Sequence, residues 1–281
     1  MASIKSNNIS VVIVHGSYHS PAPFEPLISQ LAVRGIDAHC PHRPTCDLRR
    51  LNVGDVNNPD FDRDPPVGGY PTDSEDVDVV VQVLDKLINQ DGKRVLLMAH
   101  SSGGWVATQA AIPELQAKPR QADGKTGGII GIFYLGAFVV PVGESIASFF
   151  QPKDGSFVTP PFMEFHKHGA AGLGTIVNAP QYLFNDIDPE SAAKWAATLT
   201  ASPIMPTVLT NDAYSSVPCA YLVLDNDLTL PKEYQEGMIA IQGQRGNSFT
   251  VYHAPSGHSP YLSWTDGLVD KAIEFAEHSL A

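Results

Sequence analysis

The sequence predicts an α/β fold with a mostly parallel central sheet, because short β-branched runs alternate with longer amphipathic segments. The short runs are apolar throughout and are bounded by turn residues, which is typical of strands that are buried on both faces. The predicted strands span residues 10–14, 36–40, 94–99, 129–135, 220–224 and 248–252. Helical segments between successive strands imply a sheet that is covered by helices on both faces.

The clearest helix is predicted over residues 75–90, where Val80, Leu84 and Leu87 fall on one face at helical spacing. Thr72 and Glu75 have the spacing of a capping box immediately before it. The other predicted helices span residues 24–33, 102–115, 189–199, 232–241 and 265–278.

Two segments interrupt this alternation. Residues 45–74 are rich in Asp, Pro, Gly and Asn and are predicted to form a long surface loop. Residues 141–215 have many Pro, Gly, Phe and His residues and little strand pattern. An insertion there lies over the carboxyl ends of the strands, where open α/β sheets bind ligands. We therefore predict a single domain, 1–281, with a helical cap insertion at 141–215.

The charge balance indicates which classes of partner the protein can bind. The chain of 281 residues has 30 acidic and 18 basic side chains, a net charge of −12. Such a surface repels phosphate backbones and anionic lipids, so we expect a small neutral or apolar substrate and neither nucleic acid nor membrane as partner. The sequence leaves open whether the protein forms a homodimer.

The cysteines and the terminal residues bear on the compartment. Three cysteines do not make a disulfide framework, and the first residues lack the apolar stretch of a signal peptide. We therefore expect a cytoplasmic protein. His39, Cys40, His42 and Cys46 lie close together, but their spacing matches no zinc pattern. We expect neither a metal ion nor a cofactor.

The strongest chemical signal is an apolar strand that runs directly into Ala99-His-Ser-Ser-Gly103 and then into a helix. This strand–turn–helix context is that of a nucleophile elbow, with small residues two positions before and after the reactive serine. Ser101 satisfies this requirement through Ala99 and Gly103. Ser102 does not, because His100 would then occupy a position that needs a small side chain. Ser101 is therefore the predicted nucleophile.

A nucleophilic serine needs a base and an acid that orients it. His258 lies in the loop between the last strand and the last helix, which suits the base. Asp225 and Asp227 both follow the strand 220–224, at the position expected for the acid. We favour Asp227, but the residues by themselves leave both aspartates open.

An oxyanion hole needs two backbone N–H donors. The N–H of Ser102, directly after the nucleophile, and that of Ser17, in the loop after the first strand, are the predicted donors. Gly16 allows this loop to approach closely, and Gly16, Tyr18 and Trp105 are predicted to line the substrate pocket.

These motifs resemble those of the α/β-hydrolase superfamily, and most of all its branch of plant methylesterases, hydroxynitrile lyases and fungal esterase-like proteins. The stretches that carry the resemblance are residues 11–20, 95–105, 133–144, 182–195, 225–235 and 256–261. The resemblance implies the α/β-hydrolase fold and Ser101, Asp227 and His258 as catalytic triad. It selects Asp227 over Asp225 and assigns the oxyanion donors to Ser17 and Ser102.

Two departures from the branch bear on the reaction. The lyases have a threonine and a lysine where this chain has Gly16 and Ser259. Because the cation that stabilises cyanide is absent, we expect a serine hydrolase that cleaves a carboxylic ester, thioester or lactone through an acyl-enzyme. The alternative is carbon–carbon cleavage, lyase or cyclisation chemistry on a polyketide-like metabolite with the same triad. A third hypothesis, a binding protein with a disabled site, is disfavoured by the complete triad.

Overall fold

A computed structural model describes residues 8–154 and 156–280. Its strands are β1 (Ile9–Val14), β2 (Asp37–His39), β3 (Arg94–His100), β4 (Gly128–Leu135), β5 (Met163–Phe165), β6 (Gly174–Ile176), β7 (Cys219–Leu224) and β8 (Phe249–Ala254). Within the described ranges, β5 and β6 form an antiparallel pair, and the other six strands form one parallel sheet in the order β2-β1-β3-β4-β7-β8. All six strands predicted from the sequence are confirmed.

The helices are α1 (Glu25–Val33), α2 (Asp73–Asp85), α3 (Gly103–Ala110), α4 (Ala117–Ala122), α5 (Ile146–Phe150), α6 (Ala179–Tyr182), α7 (Pro189–Ala196), α8 (Lys232–Gln244), α9 (Pro260–Ser263) and α10 (Thr265–His278). Every helix predicted from the sequence is present. The Thr72 N–H donates to Glu75 Oε1 over 3.1 Å, as the capping-box spacing predicts. Among the described residues, no helix is both long enough and apolar enough to cross a membrane.

Alternation along the central strands divides the core into two layers. Val14 and Leu97 face one layer, which also contains buried side chains of α2, α3 and α8. Ile13 and Leu96, their immediate neighbours, face the other layer with side chains of α1 and α10. The strands are therefore buried on both faces, which explains their continuous apolar sequence.

The end of one helix and the burial of one loop differ from the prediction. The helix predicted over 102–115 ends at Ala110, because Ile112 precedes Pro113 and is extended, with ψ of 151°. The loop predicted at the surface is partly buried, since Leu51 and Val53 pack with Leu173 and Ala201 of the cap segment. Apolar residues in this otherwise polar loop contact the segment 141–215, which contains α5, β5, β6, α6 and α7.

The turn into α3 generates a stability prediction. A Cβ atom added at Gly103 would lie 2.1 Å from the Val14 carbonyl oxygen, whereas one added at Gly237 in α8 would meet no atom within 4 Å. We expect Gly103→Ala to lower the free energy of unfolding by about 3 kcal/mol through overpacking. Gly237→Ala should raise it by up to about 1 kcal/mol, since alanine is the better helix former. Urea unfolding followed by circular dichroism measures both, and equal effects would contradict the close packing at Gly103.

Candidate active site

Ser101 occupies a strained turn between β3 and α3. Its φ is 53°, a left-handed conformation that costs a residue with a side chain about 1–3 kcal/mol. The loop after β1 packs tightly against this turn, because a Cβ added at Gly16 would lie 2.8 Å from Ser101 Cβ. Ser101 remains partly accessible, while Gly16 and Gly103 are buried beside it. The turn therefore presents the Ser101 side chain at the carboxyl edge of the sheet, as the sequence predicts for a nucleophile.

His258 and Asp227 form a buried pair at the same edge. His258 Nδ1 donates to Asp227 Oδ2 over 2.7 Å, and their side chains are 2% and 0% exposed. The backbone N–H groups of Thr229 and Leu230 donate to Asp227 Oδ1 over 2.8 and 2.9 Å. Because a carboxylate only accepts hydrogen bonds, the neutral imidazole carries its proton on Nδ1 and leaves the lone pair to Nε2. This is the tautomer that a general base requires.

The structure distinguishes the two candidate acids. Asp225 is exposed and accepts hydrogen bonds from Lys232 Nζ over 2.6 Å and from His253 Nδ1 over 3.1 Å. Asp227, not Asp225, contacts His258. Gln235 of α8 fixes the loop between them, because it accepts from the Leu224 N–H over 3.0 Å and donates to the Leu230 carbonyl over 2.8 Å.

His258 lies beside His100, the residue that precedes Ser101. His100 Nε2 donates to the His258 carbonyl over 2.9 Å, and the two ring centroids are 4.6 Å apart. Within the described part of the chain, Ser101 Oγ forms no hydrogen bond with His258. Catalytic hydrogen bonds in unliganded enzymes often form fully only when substrate binds. The structure therefore joins Asp227 to His258 and packs His258 against His100, which precedes Ser101, without a hydrogen bond between His258 and Ser101.

The segment that precedes α7 contacts the loops that contain Asp227 and His258. Asp186 Oδ2 accepts from the Gly257 N–H over 2.6 Å, next to His258. Tyr182 contributes its carbonyl oxygen, to which Thr229 Oγ1 donates over 2.9 Å. These cap residues lie in a stretch that carries the family resemblance, but the sequence analysis assigned them no role. Their contacts join distant parts of the chain, so no local pattern reveals them.

The predicted oxyanion donors are both present, but one is already hydrogen-bonded. The Ser17 N–H donates to Ser102 Oγ over 2.7 Å. The Ser102 N–H has no hydrogen-bond partner within the described ranges. In this structure the Ser17 N–H is therefore engaged, because the hydroxyl of Ser102 reaches back to the loop after β1.

A buried ion pair behind these serines was not predicted. Arg43 donates to Asp76 Oδ2 from Nε over 2.9 Å and from Nη2 over 2.8 Å, and neither side chain is more than 1% exposed. Burial alone would lower the pKa of Arg43, but the charge and hydrogen bonds of Asp76, together with the charges of Cys46 and Asp73, raise that pKa. The signal in the sequence was Asp76 itself, which shares the helix face of Val80 and Leu84.

Arg43 also contacts the site with its remaining nitrogen. Its Nη1 donates to Ser102 Oγ over 2.9 Å and to the His15 carbonyl over 2.8 Å. The His15 ring supports the same loop, because its Nδ1 donates to the Gly16 carbonyl over 2.8 Å and its Nε2 accepts from the Arg43 N–H over 3.2 Å. The Arg43 guanidinium thus connects α2, the loop after β1 and Ser102.

The two aromatic residues predicted to line the pocket have different surroundings. Tyr18 is partly accessible, and its hydroxyl donates to Met163 Sδ over 3.8 Å while its carbonyl accepts from the Thr200 N–H over 2.7 Å. It therefore connects the loop after β1 with the cap segment. Trp105 is 1% exposed and packs in the core layer of α2, α3 and α8. Trp105 contributes no accessible wall to the site in this structure.

Three buried histidines near the site generate a pH prediction. Burial lowers the pKa of His15 and His100 well below the ordinary value and that of His19 to about 4. The unfolded chain binds these protons near pH 6.5, so their contribution to stability is complete above that pH. It is lost as the pH falls from about 6.5 towards 4, by about 1.4 kcal/mol per pH unit for each histidine that stays neutral in the folded state.

Urea unfolding between pH 8 and pH 5 measures this loss. His278, which is exposed at the end of α10, supplies the control: His278→Gln should leave the pH dependence unchanged. His19→Asn should reduce the slope, because it removes one of the three protonation sites. A free energy of unfolding that is constant from pH 8 to pH 5 would contradict the assignment of these histidines as neutral.

Comparison with known proteins agrees with this architecture. The model of the alpha/beta hydrolase family matches residues 11–271. The alpha/beta hydrolase nvfD of Aspergillus novofumigatus (strain IBT 16806) is 26% identical over 264 residues, which cover 92% of this chain and 93% of that protein. Among solved structures, a pyrethroid hydrolase from Sphingobium faniae JZ-2 has a TM-score of 0.69 at 18% identity and covers 96% of this chain and 98% of its own. The methylesterase MES16 from Arabidopsis has a TM-score of 0.65 at 18% identity, with coverages of 96% and 99%. The chain belongs to the alpha/beta hydrolase family.

Proposed function

We propose that the protein is a serine hydrolase that cleaves the carboxylic ester, thioester or lactone of a small, largely neutral or apolar metabolite. The observation that carries the proposal is the buried hydrogen bond of 2.7 Å between His258 Nδ1 and Asp227 Oδ2, which leaves Nε2 of the neutral ring as the proton acceptor. The ring packs against His100, which precedes Ser101. Membership of the alpha/beta hydrolase family supports hydrolase activity. The methylesterase and the pyrethroid hydrolase with the same fold favour an ester as the bond that is cleaved.

In the acylation step, Ser101 Oγ forms a bond to the carbonyl carbon of the substrate and its proton moves to His258 Nε2. The carbonyl π electrons move to the oxygen, which becomes the oxyanion. The Asp227 carboxylate stabilises the imidazolium, and the Ser102 N–H donates to the oxyanion. Collapse of the tetrahedral intermediate breaks the bond to the leaving alcohol or thiol, which takes the proton from His258.

In the deacylation step, water attacks the acyl carbon and transfers a proton to His258 Nε2. Collapse breaks the bond to Ser101 Oγ, which recovers the proton, and the carboxylic acid leaves. The protons balance over the cycle, and one water is consumed for each ester. The residues of this chain supply the general acid, the general base and the first nucleophile, and water is the second nucleophile.

We further propose that the segment 141–215 covers this site and sets its substrate range. Tyr18 and Met163 contact each other, and the Met205 sulfur lies 3.3 Å from Arg43 Nη2, so thioether groups of this segment contact the loop after β1 and the arginine beside it. Thioether side chains adapt to irregular apolar ligands. After the base comes the buried, neutral Ser259, whose hydroxyl lies 3.0 Å from that of Tyr261. This neutral position favours ester hydrolysis over cyanide elimination.

Labelling with a fluorophosphonate tests the nucleophile. Wild type should react with one equivalent of the probe and hydrolyse p-nitrophenyl acetate. Ser101→Ala should lose the label and at least about 10³-fold of kcat/KM, because the nucleophile is removed. Ser215→Ala, at an exposed serine in the connection before β7, should behave as wild type. Retention of the label in Ser101→Ala would refute the proposal.

Incorporation of solvent oxygen separates hydrolysis from the alternative chemistries. Once a substrate is found, turnover in ¹⁸O-labelled water should place one solvent oxygen in the carboxylate product, because water attacks the acyl carbon. Products of carbon–carbon cleavage, elimination or cyclisation without that label would show that the same triad performs another reaction.

A further inference from the structure

The hydroxyl of Ser102 has three polar neighbours. Arg43 Nη1 lies 2.9 Å away, the Ser17 nitrogen 2.7 Å and Ser17 Oγ 2.8 Å. The guanidinium and the backbone N–H can only donate, and a serine hydroxyl has two lone pairs and one hydrogen. Both lone pairs of Ser102 Oγ are therefore occupied by N–H donors. Its own hydrogen must point to Ser17 Oγ.

This assignment leaves the hydroxyl hydrogen of Ser17 available. In the structure its partner is Met205 Sδ at 3.8 Å, and a thioether is a weak acceptor. Ser17 is partly accessible, whereas Ser102 is 3% exposed. A ligand oxygen can therefore replace the Met205 sulfur without disturbing the bonds around Ser102.

These hydrogen bonds share one direction, because the Arg43 guanidinium donates to the Ser102 hydroxyl and the Ser102 hydroxyl donates to the Ser17 hydroxyl. Asp76 binds the Nε and Nη2 atoms of Arg43, so Nη1 remains directed at Ser102. Hydrogen bonds that are aligned in this way polarise one another, and a cation at the start strengthens the last donor. The Ser17 hydroxyl is therefore a stronger donor than an isolated serine.

This donor lies next to the nucleophile. Ser17 follows Gly16, where an added Cβ would lie 3.3 Å from Ser101 Oγ, and Ser102 follows Ser101 in the chain. The Ser17 N–H, in contrast, is occupied by Ser102 Oγ. The loop after β1 therefore offers the substrate a side-chain hydroxyl in place of a backbone N–H.

We propose that Ser17 binds the substrate carbonyl oxygen, and the oxyanion that develops from it, through its hydroxyl, together with the Ser102 N–H. Ser102 Oγ and Arg43 are positioning residues that orient and polarise this hydroxyl. The inference rests on the proposed function, since it requires that Ser101 attacks a carbonyl group. It adds a catalytic side chain to the oxyanion site.

Ser17→Ala and Ser17→Thr test the inference with p-nitrophenyl acetate as substrate. Loss of one oxyanion donor typically lowers kcat by about 10²–10³-fold. We expect Ser17→Ala to show a decrease of about 10²-fold in kcat with KM changed by less than about threefold, because the donor acts mainly on the transition state. Ser17→Thr keeps the hydroxyl and should recover most of kcat.

An aryl trifluoromethyl ketone gives a readout that a purely structural role would not move. It forms a tetrahedral oxyanion with the active-site serine, so its Ki should rise in Ser17→Ala by about the same factor as kcat falls. Circular dichroism and the thermal midpoint should match wild type, since Ser17 is partly accessible. Ser102→Ala should also lower kcat, because Ser17 Oγ loses the hydroxyl that orients it.

A Ser17→Ala variant that keeps its activity would overturn the inference. If the Ser17 N–H is the donor, Ser17→Ala retains it, and an unchanged kcat and Ki would overturn the inference. That outcome leaves the proposed function intact as long as wild type is active and Ser101→Ala is not. Activity that persists in Ser101→Ala would instead overturn the proposed function.

Discussion

The close approach of the β1 loop to the turn after β3 is the constraint on which the site depends. Gly103 and Gly16 allow two backbone segments to touch where any other side chain would collide with Val14 O or with Ser101. This contact holds Ser101 at a φ of 53° and places Ser17 beside Ser102. Parallel strands then bring Asp227 and His258 to the same edge, because their carboxyl ends all point the same way. The positions of Ser101, Ser17 and Ser102 follow from this packing arrangement, and those of Asp227 and His258 from the parallel strands.

The buried pair of Arg43 and Asp76 supports the contact between the β1 loop and the turn after β3. Burial of two charges is costly, and the cost is offset only when their remaining hydrogen-bonding groups are satisfied. Here Thr45 adds two hydrogen bonds to Asp76, from its N–H over 3.0 Å and from its hydroxyl over 2.7 Å. Arg43 directs its other nitrogen to His15 and Ser102. The pair therefore connects α2 with the β1 loop while its hydrogen-bonding groups remain satisfied.

The sequence predicted those features that depend on local pattern. Strand positions follow from β-branched runs, and the chain order of Ser101, Asp227 and His258 follows from where each residue lies relative to a strand end. The separation of Asp227 from Asp225 needed either the family resemblance or the structure, because both follow the same strand. Arg43 and Asp186 were missed because each acts on a segment far away in the chain. The sequence did not show that Trp105 is buried, because an aromatic residue at the start of α3 can face either the site or the core.

We expect an acyl-enzyme at Ser101, and a slowly hydrolysed carbamate tests this expectation most directly. Incubation with p-nitrophenyl N-methylcarbamate should release one equivalent of nitrophenolate per chain and then stop, because the carbamoyl-enzyme resists attack by water. Mass spectrometry of the proteolysed product should place the carbamoyl group on Ser101 alone. Release of nitrophenolate without a modified Ser101, or modification at another residue, would contradict an acyl-enzyme at Ser101.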